Sequence, residues 1–203
     1  MTRLILATRN AGKITELRAI LADAGLPHEL VGADAYPDVP DVPDVKETGV
    51  TFAENALLKA HALARATGLP AVADDSGLCV DVLNGAPGIF SARWSGRHGD
   101  DRANLELLLA QLSDIADEHR GAHFACAAAL ALPDGTERVV EGQLRGTLRH
   151  APAGTNGFGY DPILQPEGET RTCAELSPQE KNAISHRGKA FRALVPVVRE
   201  LLG

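Results

Sequence analysis

Strand-like and helix-like segments largely alternate along this chain, and the clearest exception constrains the fold. The runs 124–132 and 137–148 both read as strands, and Pro133-Asp134-Gly135 joins them directly. A tight turn of this kind makes an antiparallel hairpin, whereas a helix between two strands returns the chain parallel to itself. A chain with both connections is expected to build an α/β fold: a mixed β-sheet covered by helices.

Helix starts are marked by side chains that cap free backbone N–H groups. Thr51-Phe52-Ala53-Glu54 is a capping box and predicts a helix over about 52–67, ended by Gly68 and Pro70. Ser177-Pro178-Gln179-Glu180 is a second, with proline at the first helical position. From there one helix is expected to run toward Leu202, kinked at Pro196. Residues 11–24 read as a helix with Ile14, Leu17 and Leu21 on one face and Gly25 as the stop, and 101–112 as an amphipathic helix. Residues 4–8 read as a buried strand. The runs 71–73 and 78–82 read as short strands flanking an Asp74-Asp75-Ser76-Gly77 turn, and 84–87 as a turn-rich loop. The stretch 33–43, rich in proline and aspartate, reads as a loop.

At 203 residues the chain fits a single domain, 1–203, or two lobes sharing one core. Aromatics are only 4%, so the core must come from alanine, leucine and valine. A net charge of -7 opposes nonspecific nucleic-acid binding, yet permits a local cationic pocket for a small phosphorylated ligand. Cys79, Cys126 and Cys173 form no C-x-x-C pair, which argues against a disulfide framework or a cysteine zinc site. They read as reduced thiols in a cytosolic protein. No apolar run approaches the ~18 residues of a membrane span, and the apolar stretch near the N-terminus is too short for a signal-peptide core.

Three segments carry chemistry. Thr8-Arg9-Asn10-Ala11-Gly12-Lys13 leads from a strand into a helix start, where free N–H groups, the helix dipole and Lys13 suit a phosphate. It is not a Walker site, since Ala7 and Ile14 stand where that motif needs glycine and serine or threonine. The alternative is an ordinary strand-to-helix turn. Asp74 and Asp75 are adjacent, so in extended chain their side chains point opposite ways and only one faces a given site. Asp75 suits a Mg²⁺ ligand or a base for water, or else a turn-capping aspartate, and Glu47 could add a second carboxylate. Last come Phe158-Gly159-Tyr160-Asp161 and the pair Lys181 and His186-Arg187. Phe158 offers a stacking platform, Asp161 an acceptor, and His186 and Arg187 donors for a keto oxygen. The plainer reading of His186 is a solvated helix histidine, and of Lys59 a solvated lysine. His28, His61, His98, His119, His123 and His150 lack ligand spacing and read as surface or loop residues.

In this order these segments resemble the inosine triphosphate pyrophosphatase family, whose bacterial members are the XTP/dITP diphosphatases. The resemblance is carried by Leu6-Ala7-Thr8-Arg9-Asn10-Ala11-Gly12-Lys13, Thr51-Phe52-Ala53-Glu54-Asn55-Ala56, Ala73-Asp74-Asp75-Ser76-Gly77-Leu78, Gly85-Ala86-Pro87-Gly88, Gly157-Phe158-Gly159-Tyr160-Asp161-Pro162 and Ser185-His186-Arg187-Gly188. It implies an elongated mixed sheet in two lobes with a central nucleotide cleft. It implies hydrolysis of ITP, dITP and XTP to the monophosphate and pyrophosphate, which cleanses the nucleotide pool. The implied cofactor is Mg²⁺, and the implied setting a cytoplasmic homodimer without nucleic-acid or membrane partners.

Residue by residue, the resemblance makes Thr8, Arg9, Asn10, Ala11, Gly12 and Lys13 the triphosphate loop. It makes Asp75 the proton acceptor and, with Glu47, a Mg²⁺ ligand. Ser76 and Lys59 become substrate contacts, which displaces the solvated-lysine reading. Phe158, Gly159, Tyr160, Asp161, Lys181, His186 and Arg187 become the base and substrate pocket. Arg9 departs from the small residue that many members have there; it either adds a phosphate contact, which shifts affinity, or points to solvent, and no catalytic residue is affected. A Maf-type pyrophosphatase acting on pyrimidine or modified nucleotides, or a non-catalytic nucleotide-binding module, are the rival readings.

Overall fold

The computed structural model describes residues 3–7, 11–25, 29–32 and 45–203; Thr8, Arg9, Asn10, His28 and the stretch 33–43, on which readings above fall, lie outside them. One six-stranded sheet has the order β2-β1-β3-β4-β5-β6. Its strands are β1 (Arg3–Leu6), β2 (Glu29–Gly32), β3 (Ala71–Val80), β4 (Gly121–Ala131), β5 (Glu137–Leu148) and β6 (Leu164–Pro166). The helices are α1 (Ala11–Asp23), α2 (Phe52–Thr67), α3 (Asp101–Gln111), α4 (Pro178–Ile184) and α5 (His186–Leu202). β1 runs parallel to β2 and β3, and β5 antiparallel to β6, so the sheet is mixed as the connections require. The turn between β4 and β5 forms where expected: Gly135 takes φ 93°, and Asp134 Oδ1 accepts from Thr136 N–H at 2.8 Å.

The chain divides into two compact units. The first comprises Met1–Asp75, Cys126–Gly142 and Arg187–Gly203, and the second Ser76–Ala125 and Gln143–His186. In the first unit the two-residue period of the strands sorts side chains into two cores. Leu4, Leu6, Val72, Cys126, Ala128 and Leu130 pack with α1 (Ile14, Leu17, Ile20) and α5 (Phe191, Leu194, Val198). The alternate positions, Ile5, Ala71, Ala73, Ala127, Ala129 and Ala131, pack with Ala56, Ala60, Leu63 and Ala64 of α2. Alanine against alanine brings α2 close to the sheet, which is how a chain poor in aromatics fills its interior.

The second unit packs α3 through Leu105 and Leu108 against Leu78, Val80, Phe124, Tyr160 and Ile163. Arg120 is almost wholly buried there, and its guanidinium donates to the carbonyls of Leu148 (2.8 Å), Leu112 (2.6 Å) and Arg149 (3.1 Å). A buried cation needs such partners, and Leu112 lies just past α3, where carbonyls lack helical donors. All three cysteines are free and buried.

Both capping boxes form, at Thr51–Glu54 and at Ser177–Glu180 with Pro178 in the first turn. Two expectations are corrected. Asp74-Asp75-Ser76-Gly77 is no turn: β3 runs through it unbroken. Gly77 serves close approach instead, because a Cβ there would overlap the Gly88 carbonyl oxygen and Ser91 Oγ. The last helix is also two helices. Ser185 adopts an extended backbone (φ -61°, ψ 150°) between α4 and α5, while α5 continues through Pro196.

Candidate active site

β3 sends its two aspartates to different partners. Asp74, buried, accepts from Arg187 Nε of α5 at 3.1 Å. Asp75, half-buried, meets α2: Lys59 Nζ donates to its Oδ1 at 3.0 Å and Asn55 Nδ2 to its Oδ2 at 3.3 Å. Asn55 and Lys59 stand one turn apart on one helix face, which lets both reach one carboxylate. Lys59 also donates to Glu47 Oε1 at 3.0 Å, so one ammonium is shared by two carboxylates.

Asn55 is fully buried, and its Oδ1 accepts the Gly49 N–H at 2.9 Å, which turns the amide nitrogen toward Asp75. Glycine is needed at 49 because a Cβ would stand 2.7 Å from that oxygen. Burial pushes the Asp75 carboxyl above its ordinary value, with Lys59 pulling down and Glu47 adding to the rise. Burial alone would lower Lys59, but Asp75, Glu47 and Asp74 outweigh it and raise its pKa.

A separate group forms in the second unit around a loop with left-handed glycines, Gly157 (φ 75°) and Gly159 (φ 61°). Asp161, buried, accepts from Phe158 N–H at 2.9 Å and from Lys181 Nζ at 2.5 Å. A Cβ at 157 would overlap Asp161 Oδ2, so only glycine fits. Lys181 also lies over the Phe158 ring, 5.3 Å from its centroid, and Phe158 remains 51% exposed. Tyr160 is buried, and its hydroxyl donates to the Ser91 carbonyl at 3.0 Å. Burial and Asp101 push that phenol well above its ordinary range. His186 is not a solvated helix residue: it is buried and stacked on Phe124, 4.9 Å between centroids. His123 likewise lies half-buried in β4 rather than in a loop.

Ser76 follows Asp75 in β3 and is half-buried. Ala11, Gly12 and Lys13 open α1. The structure therefore brings Asp75, Glu47 and Lys59 together, and separately Phe158, Asp161 and Lys181. It pairs Arg187 with Asp74, and makes Tyr160 an anchor of its loop.

Among the described residues no cluster of three or more His, Cys, Asp or Glu is arranged to hold a metal. Asp75 and Glu47 do converge on one cation, Lys59. A pair of carboxylates fits Mg²⁺ when water and substrate phosphates complete the shell, since that ion commonly takes one or two protein carboxylates.

Residues 4–197 match the model of the Ham1 family. The chain is 92% identical over 203 residues to a Streptomyces coelicolor protein named dITP/XTP pyrophosphatase, covering all of both chains. The chain belongs to the Ham1 family. A structure of a HAM1 protein from Coxiella burnetii superposes with a TM-score of 0.88 at 42% identity, over 98% of this chain and all of that one. The dITP/XTP pyrophosphatase structure from Mycobacterium abscessus gives 0.79 at 55% identity, over 96% of this chain and all of that one. The fold expected from the resemblance is thus the Ham1 fold.

Three residues of this Ham1 chain escaped sequence reasoning as parts of either group: Asn55, Ser91 and Asp101. Asn55 had a usable signal, a polar residue beside Ala56 on the buried face of a capped helix. Ser91 and Asp101 had none, because their partners, Tyr160 and Gly159, are 69 and 58 residues away in sequence.

Proposed function

We propose that this protein hydrolyses the non-canonical purine nucleoside triphosphates dITP, XTP and ITP to the monophosphate and pyrophosphate, clearing them from the nucleotide pool of the cytoplasm. The observation that carries this is the Lys59 ammonium shared at 3.0 Å by Asp75 and Glu47. Phosphoanhydride cleavage is chiefly positioning and charge neutralisation, and this group supplies a base, a fixed cation and a place for a metal ion. Asp75, oriented by Asn55, holds the attacking water and takes its proton. Lys59 and Lys13 neutralise phosphate charge, with the N–H groups opening α1 and the preceding Thr8, Arg9 and Asn10 cradling the triphosphate. Asp75 and Glu47 would hold Mg²⁺, which would supply further neutralisation of phosphate charge.

The group in the second unit suits a purine base. Phe158 exposes a ring for stacking, and Asp161 with Lys181 forms a ready acceptor and donor pair. His186 and Arg187 supply donors for a 6-keto oxygen. A 6-amino purine leaves such donors unmatched, a penalty worth roughly 10⁴-fold in favourable cases.

A panel of ITP, XTP, ATP, GTP and dTTP, assayed for pyrophosphate against orthophosphate, tests the reading. ITP and XTP are expected to lead, with pyrophosphate released and turnover lost in excess chelator. Preference for dTTP, or release of orthophosphate, would overturn it. The proposed homodimer is checked by light scattering, where a monomer mass refutes it.

A further inference from the structure

The loop carrying Phe158 is tied down by two of its own side chains and by one on a helix distant in sequence. Its flanking glycines adopt left-handed backbone, so the chain there has little stiffness of its own. Three ties compensate. Asp161 Oδ2 takes the Phe158 N–H at 2.9 Å, and Tyr160 reaches the Ser91 carbonyl at 3.0 Å. The third comes from Asp101, whose Oδ2 takes the Gly159 N–H, the very next amide after Phe158, at 2.9 Å.

Asp101 sits on a fixed element. It opens α3, where the cap is already supplied by Asp100, whose Oδ1 accepts the Ala103 N–H at 3.1 Å. The helix is seated by Leu105 and Leu108, and Arg120 holds the carbonyl of Leu112 at its end. With its own helix capped by a neighbour, Asp101 spends its carboxylate on the loop. A bond from a carboxylate to a backbone N–H is short, directional and stronger than a neutral one.

We infer that Asp101 is a positioning residue for base recognition: through the Gly159 N–H it sets the orientation of the Phe158 ring, and so governs how selectively the purine is held. This rests on the nucleotide reading above. The test compares Asp101→Ala with Asp101→Asn, since asparagine keeps an acceptor oxygen and loses only the charge. KM and kcat are measured for ITP and ATP, together with amide hydrogen exchange over 157–161 in the ligand-free protein.

Asp101→Ala is expected to speed exchange in that segment and to raise the ITP KM about tenfold, the low end for a lost charge-assisted bond. Its kcat should stay within about twofold and its ITP preference over ATP should narrow, whereas Asp101→Asn should restore most of each property. Wild-type KM and exchange in Asp101→Ala would overturn the proposal. So would an equal loss of melting temperature in both variants with KM untouched, which a helix-dipole effect alone produces. A wild-type protein that releases no pyrophosphate from ITP instead overturns the parent reading and the selectivity claim with it.

Discussion

Asp74 and Asp75 are the same residue type one position apart, yet the structure gives them opposite tasks. Asp75 faces α2 and the shared ammonium, and burial raises its pKa. Holding it ionised therefore opposes folding, because a carboxyl raised above its unfolded value favours the protonated form. Asp75→Asn is expected to fold with a melting temperature no lower than the wild type's and to release almost no pyrophosphate from ITP. Activity near wild type would remove it as the base. Asp74 carries structure through Arg187, and both side chains are almost wholly buried. Arg187→Met takes the guanidinium away from a buried carboxylate, and a loss of about 3–5 kcal/mol is expected in denaturant unfolding. Unaltered stability would mean that this pair contributes little.

At the scale of elements, glycines and caps decide where segments meet. A methyl group at Gly77 would strike the Gly88 carbonyl oxygen and Ser91 Oγ, and that hydroxyl also accepts the Leu78 N–H at 2.9 Å. Gly77→Ala is expected to cost about 1–3 kcal/mol of stability, as overpacked sites do. A melting curve like the wild type's would show that the 88–91 segment yields freely. Helix α4, which carries Lys181, depends on Glu180, whose carboxylate accepts from Ser177 N–H at 2.8 Å and from Arg171 Nη1 at 3.1 Å. Those bonds, Ser177 first, hold its pKa down to about 2 from 4.5. The cap is thus fully present above about 4.5 and lost as pH falls toward about 2. Amide exchange in α4 should accelerate across that window, and Glu180→Gln should flatten the dependence.

For the whole molecule, His123 supplies an acid sensitivity of its own. Burial lowers its pKa below 6.5, Arg145 lowers it further, and Asp81 opposes them only in part. A histidine depressed in the folded state stabilises the fold above its unfolded value, and that contribution is lost as pH falls through the folded value. The wild-type melting temperature is expected to drop from pH about 7 to about 5 by more than that of His123→Gln. Equal drops would assign the acid loss to other groups.

Much of the architecture was legible because local rules were enough. Capping boxes announced α2 and α4, the Pro-Asp-Gly turn announced the hairpin, and strand-like runs announced β1, β4 and β5. β2 and β6 were not legible: they span only 4 and 3 residues and read as strands only once paired with β1 and β5. The break at Ser185 was invisible too, since a lone serine carries no proline or glycine signal for ending a helix. Of the candidate site, the motifs gave most of the residues their parts, but not Asn55, Ser91 or Asp101, whose parts are defined by partners distant in sequence.

By itself the sequence determined most of the helices and the longer strands, that the sheet is mixed, and that the family is Ham1, because periodicity, caps and ordered motifs are written in neighbouring residues. Only the tertiary structure decided that Lys59 is shared by Glu47 and Asp75, that Arg187 lies against Asp74, and that Asp101 holds the Phe158 loop. The reason is physical: charge pairing and hydrogen bonding act over a few ångströms of space, and a chain's spacing along itself does not say which groups come that close.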